Sequence, residues 1–363
     1  MKLRVGIVGG AFAATLHAQG WLKTNRAEIV AMAAPSKATR DSFSTTFNCK
    51  AYETAQEMIA NEKLDVISLT LPNLYHKELT LLAASKGIHI VCEKPLAINL
   101  SDAKEMVEVT NKAGVKLLYA EQLIYAPRYK KVKELIDNKS FGQIVHINHR
   151  ERHGGPHAKW FRDKSLSGGG VTMDMAIHGI GLISYLLKPA KITHVYARII
   201  TVDKSSEVDD HCLITLEFDN NVLATVDASW VAPGGVDDVL EVLGTKGYVR
   251  ADLARGQTID LYTLTGADYT AEKVEVDKGW LKISHDEARV WGWFDEIEHF
   301  TQVLLDNHTP ITTGEDGYNA LKIAMAAYES AQSNKIKNKK MVRCRHLIRK
   351  NMKIYFQKIL KNL

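Results

Sequence analysis

Two short stretches carry side chains able to move a proton. The first is Val91-Cys92-Glu93-Lys94-Pro95-Leu96, which closes an apolar run. A lysine at the C-terminal edge of a buried strand faces the crevice where open α/β sheets bind ligands. The proline after it fixes the turn, and the Lys94–Pro95 bond is a candidate cis peptide. The second is Gly168-Gly169-Gly170-Val171-Thr172-Met173-Asp174-Met175-Ala176-Ile177-His178. Three glycines let backbone pass close to a ligand. Asp174 and His178 are four apart, so on a helix they share a face. Carboxylate and imidazole together suit proton transfer near neutral pH. Each stretch alone also has a plainer reading, as a surface lysine in a turn and as a buried Asp–His hydrogen bond.

A third stretch suits a nucleotide. Val5-Gly6-Ile7-Val8-Gly9-Gly10-Ala11-Phe12-Ala13-Ala14 ends a strand and opens a helix. Set against G-x-G-x-x-G/A it gives Gly9-x-Ala11-x-x-Ala14. Small residues keep the turn tight, let backbone approach a pyrophosphate and let helix pack on strand. The helix N-terminus adds free N–H groups for the phosphates. Ala11 in place of the middle glycine is a departure, whose methyl would push the pyrophosphate outward. The second strand ends Met32-Ala33-Ala34-Pro35-Ser36-Lys37-Ala38-Thr39-Arg40, without the carboxylate that NAD enzymes set against the ribose 2′-OH. Ser36, Lys37 and Arg40 would instead hold a 2′-phosphate, which favours NADP over NAD.

The elements that must position these residues fall into two textures. Strands are expected at Leu3–Val8, Ile29–Ala34, Leu64–Leu71, Ile88–Cys92 and Lys116–Ala120. Helices are expected at Phe12–Lys23, Lys37–Phe47, Ala55–Asn61, His76–Lys86 and Asp102–Lys112, the last capped by Ser101. Gly87 and Gly114 close two of them. This alternation means βαβ units and a parallel sheet. After about residue 122 longer strands follow at Ile144–Arg150, His194–Val202, Leu213–Phe218, Val222–Trp230, Val239–Gly244 and Tyr248–Leu253. Hairpin signals at Asp219-Asn220-Asn221 and Gly244-Thr245-Lys246-Gly247 make that sheet mostly antiparallel. Helices are expected at Thr172–Leu187, Ala288–Asn307 and Gly317–Ser333. The fold class is therefore α/β: an N-terminal Rossmann domain (1–122), then an α+β domain with an open sheet (123–335) and a basic extension (336–363).

Composition excludes several alternatives. The 363 residues suggest about two domains. Hydrophobic residues at 45% supply a large core. No apolar run reaches the ~20 residues that cross a bilayer, and the first residues do not read as a secretion signal. Cys49, Cys92, Cys212 and Cys344 are scattered, without a C-x-x-C pair, which fits a reducing cytoplasm. Eleven of the 47 basic residues and none of the 42 acidic ones lie in 331–363, so residues 1–330 carry −6 and the +5 total comes from the tail. That leaves nucleic acid little support as a partner. In the tail, Ile348, Met352, Tyr355, Phe356, Ile359 and Leu363 recur at helical spacing among basic residues. This suits a packing helix or solvated extension better than a membrane surface.

In this order, Gly9-x-Ala11-x-x-Ala14, Thr70-Leu71-Pro72-Asn73-x-x-His76, Glu93-Lys94-Pro95 and Gly168-Gly169-Gly170-x-x-x-Asp174-x-x-x-His178 resemble the Gfo/Idh/MocA family of dinucleotide-dependent oxidoreductases. The resemblance spans roughly residues 3–335. It implies a Rossmann domain followed by an open sheet that carries the substrate site and often an oligomer interface, a homodimer or homotetramer. It implies a sugar, inositol or related polyol as substrate, and Lys94, Asp174 and His178 at the reacting carbon. Gly9, Ala11, Phe12, Ala13, Leu71, Asn73, His76 and Glu93 match positions near the dinucleotide. Trp160 and Arg162, in Arg152-His153-Gly154-Gly155-Pro156-His157-Ala158-Lys159-Trp160-Phe161-Arg162, fit a cofactor-side role, with His153 and His157 lining the substrate pocket. No metal is expected: Gly154-Gly155-Pro156 breaks the helix that would gather His149, His153, His157 and His178.

The expected chemistry is hydride exchange between a carbinol carbon and nicotinamide. His178 takes the hydroxyl proton, Asp174 orients it, and Lys94 stabilises charge on the same oxygen; Lys94 as base is the reverse assignment. The same fold also serves dinucleotide-assisted glycoside hydrolysis, and non-catalytic dinucleotide sensing by regulators.

Overall fold

The computed structural model describes residues 2–156, 158–233, 235–254, 258–263, 279–284 and 286–338. Its first half alternates strand and helix: β1 (Leu3–Val8), α1 (Phe12–Lys23), β2 (Ala27–Ala33), α2 (Lys37–Phe47), β3 (Lys50–Tyr52), α3 (Ala55–Asn61), β4 (Val66–Leu69), α4 (His76–Ser85), β5 (His89–Glu93), α5 (Leu100–Ala113) and β6 (Leu117–Ala120). The six strands are all parallel, in the order β3-β2-β1-β4-β5-β6. Strand order reverses between β1 and β4, the place where such sheets bind ligands. The middle strands are apolar on both faces because helices cover both sides.

The second half contains α6 (Pro127–Asp137), β7 (Ile144–Arg152), α7 (Lys164–Ser167), α8 (Val171–Asp174), α9 (Ala176–Leu186), β8 (Ile192–Ile200), β9 (His211–Phe218), β10 (Leu223–Ser229), β11 (Asp237–Gly244) and β12 (Gly247–Asp252). A hairpin of β13 (Thr258–Thr263) and β14 (Gly279–Ser284) follows, then α10 (Glu287–Val290), α11 (Trp293–Leu305), α12 (Gly314–Ser333) and β15 (Lys337–Asn338). The large sheet runs β12-β11-β7-β10-β9-β8-β15, antiparallel except where β7 meets β10. The last long helices return to the first half. On α1, a Cβ at Gly20 would lie 2.9 Å from Ile297 of α11; on α12, one at Gly317 would lie 2.7 Å from the Tyr119 ring of β6.

Several boundaries differ from expectation for local reasons. Asn99, rather than Ser101, caps α5 by accepting from the Asp102 amide at 3.0 Å. The strand expected at Leu64–Leu71 is only Val66–Leu69, and the short β3 was not anticipated. The expected helix Thr172–Leu187 is two, broken at Met175. Ala288–Asn307 is likewise divided at Gly292, whose φ of +90° no helix tolerates. The expected helix at Gly317 starts at Gly314, because a reciprocal Thr313–Asp316 capping box sets its N-terminus. Of the basic extension, residues 339–363 lie outside the described residues. No helix among the described residues is long and apolar enough to cross a membrane.

One buried carboxylate fixes the glycine turn. Asp209 accepts from the amides of Gly170 and Thr172, both at 2.9 Å, and from the Tyr328 hydroxyl of α12 at 2.6 Å. A Cβ at Gly170 would sit 1.8 Å from the Asp209 carbonyl oxygen, so only glycine fits. Asp209→Ala strands these donors and should cost about 3 kcal/mol in urea unfolding, against about 1 kcal/mol for Tyr328→Phe.

Candidate active site

The strand-to-helix turn after β1 is shaped for close backbone approach. Gly9 has φ +116°, and a Cβ there would lie 2.2 Å from the Thr70 carbonyl oxygen. A Cβ at Gly10 would lie 2.2 Å from Thr39 Cγ2. Ala11 is the N-terminal cap residue of α1, and neither a capping side chain nor a first-turn acid occupies that end. A bare helix start above the switch point suits a pyrophosphate, and the residues present fit a dinucleotide. Phe12 sets its ring edge-on to Trp293, with centroids 6.3 Å apart. Ala13 and Leu71 are half-buried.

Other expected cofactor residues have protein partners. Asn73 is buried and donates to the Ser167 carbonyl at 2.8 Å. The buried His76 ring lies 3.0 Å from the carbonyls of both Leu71 and Pro95. These two brace the loops rather than present free polar groups. Ser36 caps α2, Lys37 pairs with Asp41 at 2.6 Å, and Arg40 donates to the carbonyls of Ala34 and Pro35. Arg162 reaches Asp203 and the Gly155 carbonyl, and Trp160 stacks on Phe161 with centroids 3.8 Å apart.

At the end of β5 the two proton-handling stretches meet. Lys94 Nζ donates to Asp174 Oδ1 at 2.7 Å and to the Asp174 carbonyl at 2.9 Å. The following Lys94–Pro95 peptide is cis. Trp230 Nε1, from the end of β10, donates to Asp174 Oδ2 at 3.1 Å. Burial alone would lower the Lys94 pKa, but Asp174 and Glu93 outweigh it and hold the ammonium above its ordinary value. Burial would likewise raise Asp174; the Lys94 charge and hydrogen bond reverse this and lower it. Glu93 accepts from the Lys94 amide at 3.1 Å and lies 3.1 Å from His17 Nε2.

His178 joins this cluster by a different route from the one expected. Its Nδ1 lies 2.7 Å from Glu121 Oε1, at the end of β6, while the Asp174 carboxylate is engaged by Lys94 and Trp230. The break at Met175 separates the two residues onto successive helices, so i,i+4 spacing no longer pairs them. Glu121 is fully buried, and burial pushes its pKa well above the usual carboxylate range despite the nearby Lys94. His153 is buried close enough to Asp174 to lower its pKa, and its Nδ1 lies 2.7 Å from the Gly154 carbonyl. His157 lies outside the described residues. Glu121, Glu151 and Trp230 were not singled out from the sequence. Glu121 had a signal: like Glu93, it is an acid that ends an apolar strand at the ligand-binding edge.

Comparison with known proteins places this arrangement. Residues 3–121 match the description "Oxidoreductase family, NAD-binding Rossmann fold", and residues 129–250 match "GFO/IDH/MocA C-terminal domain". The chain belongs to the Gfo/Idh/MocA oxidoreductase family. It is 27% identical to myo-inositol 2-dehydrogenase of Thermotoga maritima over 92% of this chain and 97% of that one. It is 29% identical to D-glucoside 3-dehydrogenase of Escherichia coli, over 91% and 96%. Among solved structures, GenD2 from gentamicin A biosynthesis in complex with NAD superposes with a TM-score of 0.88 at 25% identity, over 93% of this chain and 96% of that one. The first domain is thus an NAD-binding Rossmann fold, and the cluster around Lys94 lies at the C-terminal edge of its sheet, the edge at which open α/β sheets bind ligands.

The buried ion pair sets a pH signature. Its contribution to stability through Asp174 is complete above about pH 4 and is lost as pH falls through the lowered folded pKa. In Lys94→Met, burial dominates and raises Asp174, so stability should instead fall as pH rises above about 4. Urea unfolding should show a loss of about 3 kcal/mol at pH 7 and a smaller one at pH 4. An equal loss at both pH values would contradict this assignment.

Proposed function

We propose that the protein transfers a hydride between a carbinol carbon of a sugar, inositol or related polyol and a nicotinamide dinucleotide. The observation that carries this reading is the convergence of Lys94, Asp174 and the Glu121–His178 pair at the C-terminal edge of β5 and β6. Bound nicotinamide supplies the hydride acceptor or donor. Lys94, positioned by Asp174, donates a hydrogen bond to the reacting oxygen and stabilises negative charge developing there. His178, held through Nδ1 by Glu121, exchanges the hydroxyl proton at Nε2. Glu121 therefore takes the orienting role expected of Asp174. His153 lines the substrate side, and Trp160 and Arg162 the cofactor side. The relatives named as dehydrogenases of myo-inositol and of D-glucosides support a polyhydroxylated substrate.

For the dinucleotide we propose NADP before NAD. The end of β2 carries no carboxylate, and Ser36 with Arg40 stands beside Ala34 and Pro35 where a ribose 2′-substituent is read. Arg40 exchanges two carbonyl bonds for charge-assisted ones when a phosphate is present. The outward face of the large sheet exposes Leu213, Leu223, Leu243 and Tyr248 around the Arg150–Asp237 and Arg152–Asp227 pairs. We assign that face to a second copy of the chain, giving a homodimer or homotetramer.

A panel of inositols, sugars and glucosides assayed with NADP and NAD, following absorbance at 340 nm, tests the reading. Stoichiometric reduced dinucleotide is expected with at least one polyol. Lys94→Ala and His178→Asn should each lose about 10²–10⁴ in kcat. Arg40→Ala should raise KM for NADP and leave KM for NAD nearly unchanged. Full turnover by Lys94→Ala would defeat the scheme.

A further inference from the structure

Behind the catalytic histidine lies a small cavity with no part in the hydride scheme. It measures about 50 Å³ and is lined by Glu121 and Tyr119 at its inner end, Gly181 and Ala320 along its walls, and Lys188 and Asp316 at its rim. Water needs about 10–15 Å³ of such space per molecule, so the cavity has room for about three to five. Its inner end is polar. Glu121 Oε2 and the Tyr119 hydroxyl are buried, and neither makes a hydrogen bond of regular geometry among the described residues, although the Leu123 amide lies close enough to the Glu121 carboxyl to favour its charged form. A buried oxygen left in this state costs free energy comparable to a lost hydrogen bond, and ordered water is the usual remedy. Gly181 keeps the place open: a Cβ there would stand 3.4 Å from Glu121 Oε2. At the other end, Lys188 donates to Asp316 at 2.8 Å in a partly exposed pair. The same Glu121 carboxyl thus touches His178 with one oxygen and the cavity with the other.

We propose that this cavity holds a short file of water that links Glu121 to bulk solvent, and serves as a temporary proton outlet for His178 while ligands fill the cleft. The inference rests on the proposed hydride transfer. In the oxidation direction, the carbon gives its hydride to the nicotinamide and the hydroxyl gives its proton to His178 Nε2. The Nδ1 proton passes to Glu121 Oε1, and a proton leaves Oε2 for the first water. The carboxyl begins and ends neutral. After product leaves, Nε2 gives its proton to water in the open cleft, and one returns from the cavity through Glu121 to Nδ1. One proton is released per hydride. Lys94, Glu151, Glu93 and Glu296 also act on Glu121 electrostatically, while the cavity reaches from it toward the partly exposed Lys188–Asp316 pair.

The test uses the full chain with ¹⁵N-labelled histidine. The exchange rate of the His178 Nδ1 proton with water is measured by NMR with NADPH present, beside a high-resolution crystal structure. Ordered water bonded to Glu121 Oε2 and to the Tyr119 hydroxyl is expected. Ala320→Val adds two methyl groups to the wall and should slow exchange about tenfold. Tyr119→Phe removes one water partner without filling space and should slow it several-fold, which keeps the test intact if the valine variant misfolds. A dry cavity, or wild-type exchange in either folded variant, overturns the proposal. These readouts need no turnover. A chain inactive on every polyol but with water-linked exchange would sink the hydride reading alone.

Discussion

The salt bridge between Lys94 and Asp174 is the constraint on which the rest of the site depends. It joins the end of β5 in the dinucleotide-binding half to the glycine turn of the second half, 80 residues later in the chain. As a source of stability such a pair is weak, because two desolvated charges recover little more than their hydration cost. As a source of position it is strong: breaking it leaves one buried charge without compensation. Each partner is fixed independently. Asp174 also accepts from Trp230, and its turn is held by Asp209 and Tyr328. Asn73 adds a second tie across the same seam.

Around this one ammonium the fold gathers Glu93, Glu121, Glu151 and Asp174. Their behaviour divides by partner. Asp174, in direct contact with Lys94, is held below its ordinary pKa, while burial pushes Glu121 and the more remote Glu296 above theirs. A buried carboxyl kept neutral can donate as well as accept, which a carboxylate cannot.

Much of this was legible in the residues because backbone requirements are local. Gly9, the Glu93-Lys94-Pro95 edge and the three glycines each announce a turn or close approach that few other residues permit. The alternation of apolar runs and amphipathic stretches gave both sheets. Pairing was less legible. Asp174 and His178 sit at helical spacing, yet the break at Met175 sends one to Lys94 and the other to Glu121, a partner 57 residues away. Asn73 and His76 are expected near the dinucleotide from the family resemblance alone. Their bonds to Ser167 and Pro95 are tertiary and leave no local trace, while that of His76 to Leu71 spans only five residues. Lys37 pairs with Asp41 one helical turn on, an exposed contact that the spacing itself offers.

The central claim is that the two halves bring one ammonium and one imidazole to the same oxygen, with Asp174 positioning the first. The most direct measurement is the single-turnover rate of dinucleotide reduction in Asp174→Asn, with dinucleotide affinity determined separately by fluorescence. The account predicts unchanged affinity and a rate about 10²-fold lower, since the lysine loses its counter-charge and is held only by neutral acceptors. A wild-type rate in a protein that binds dinucleotide normally would contradict it.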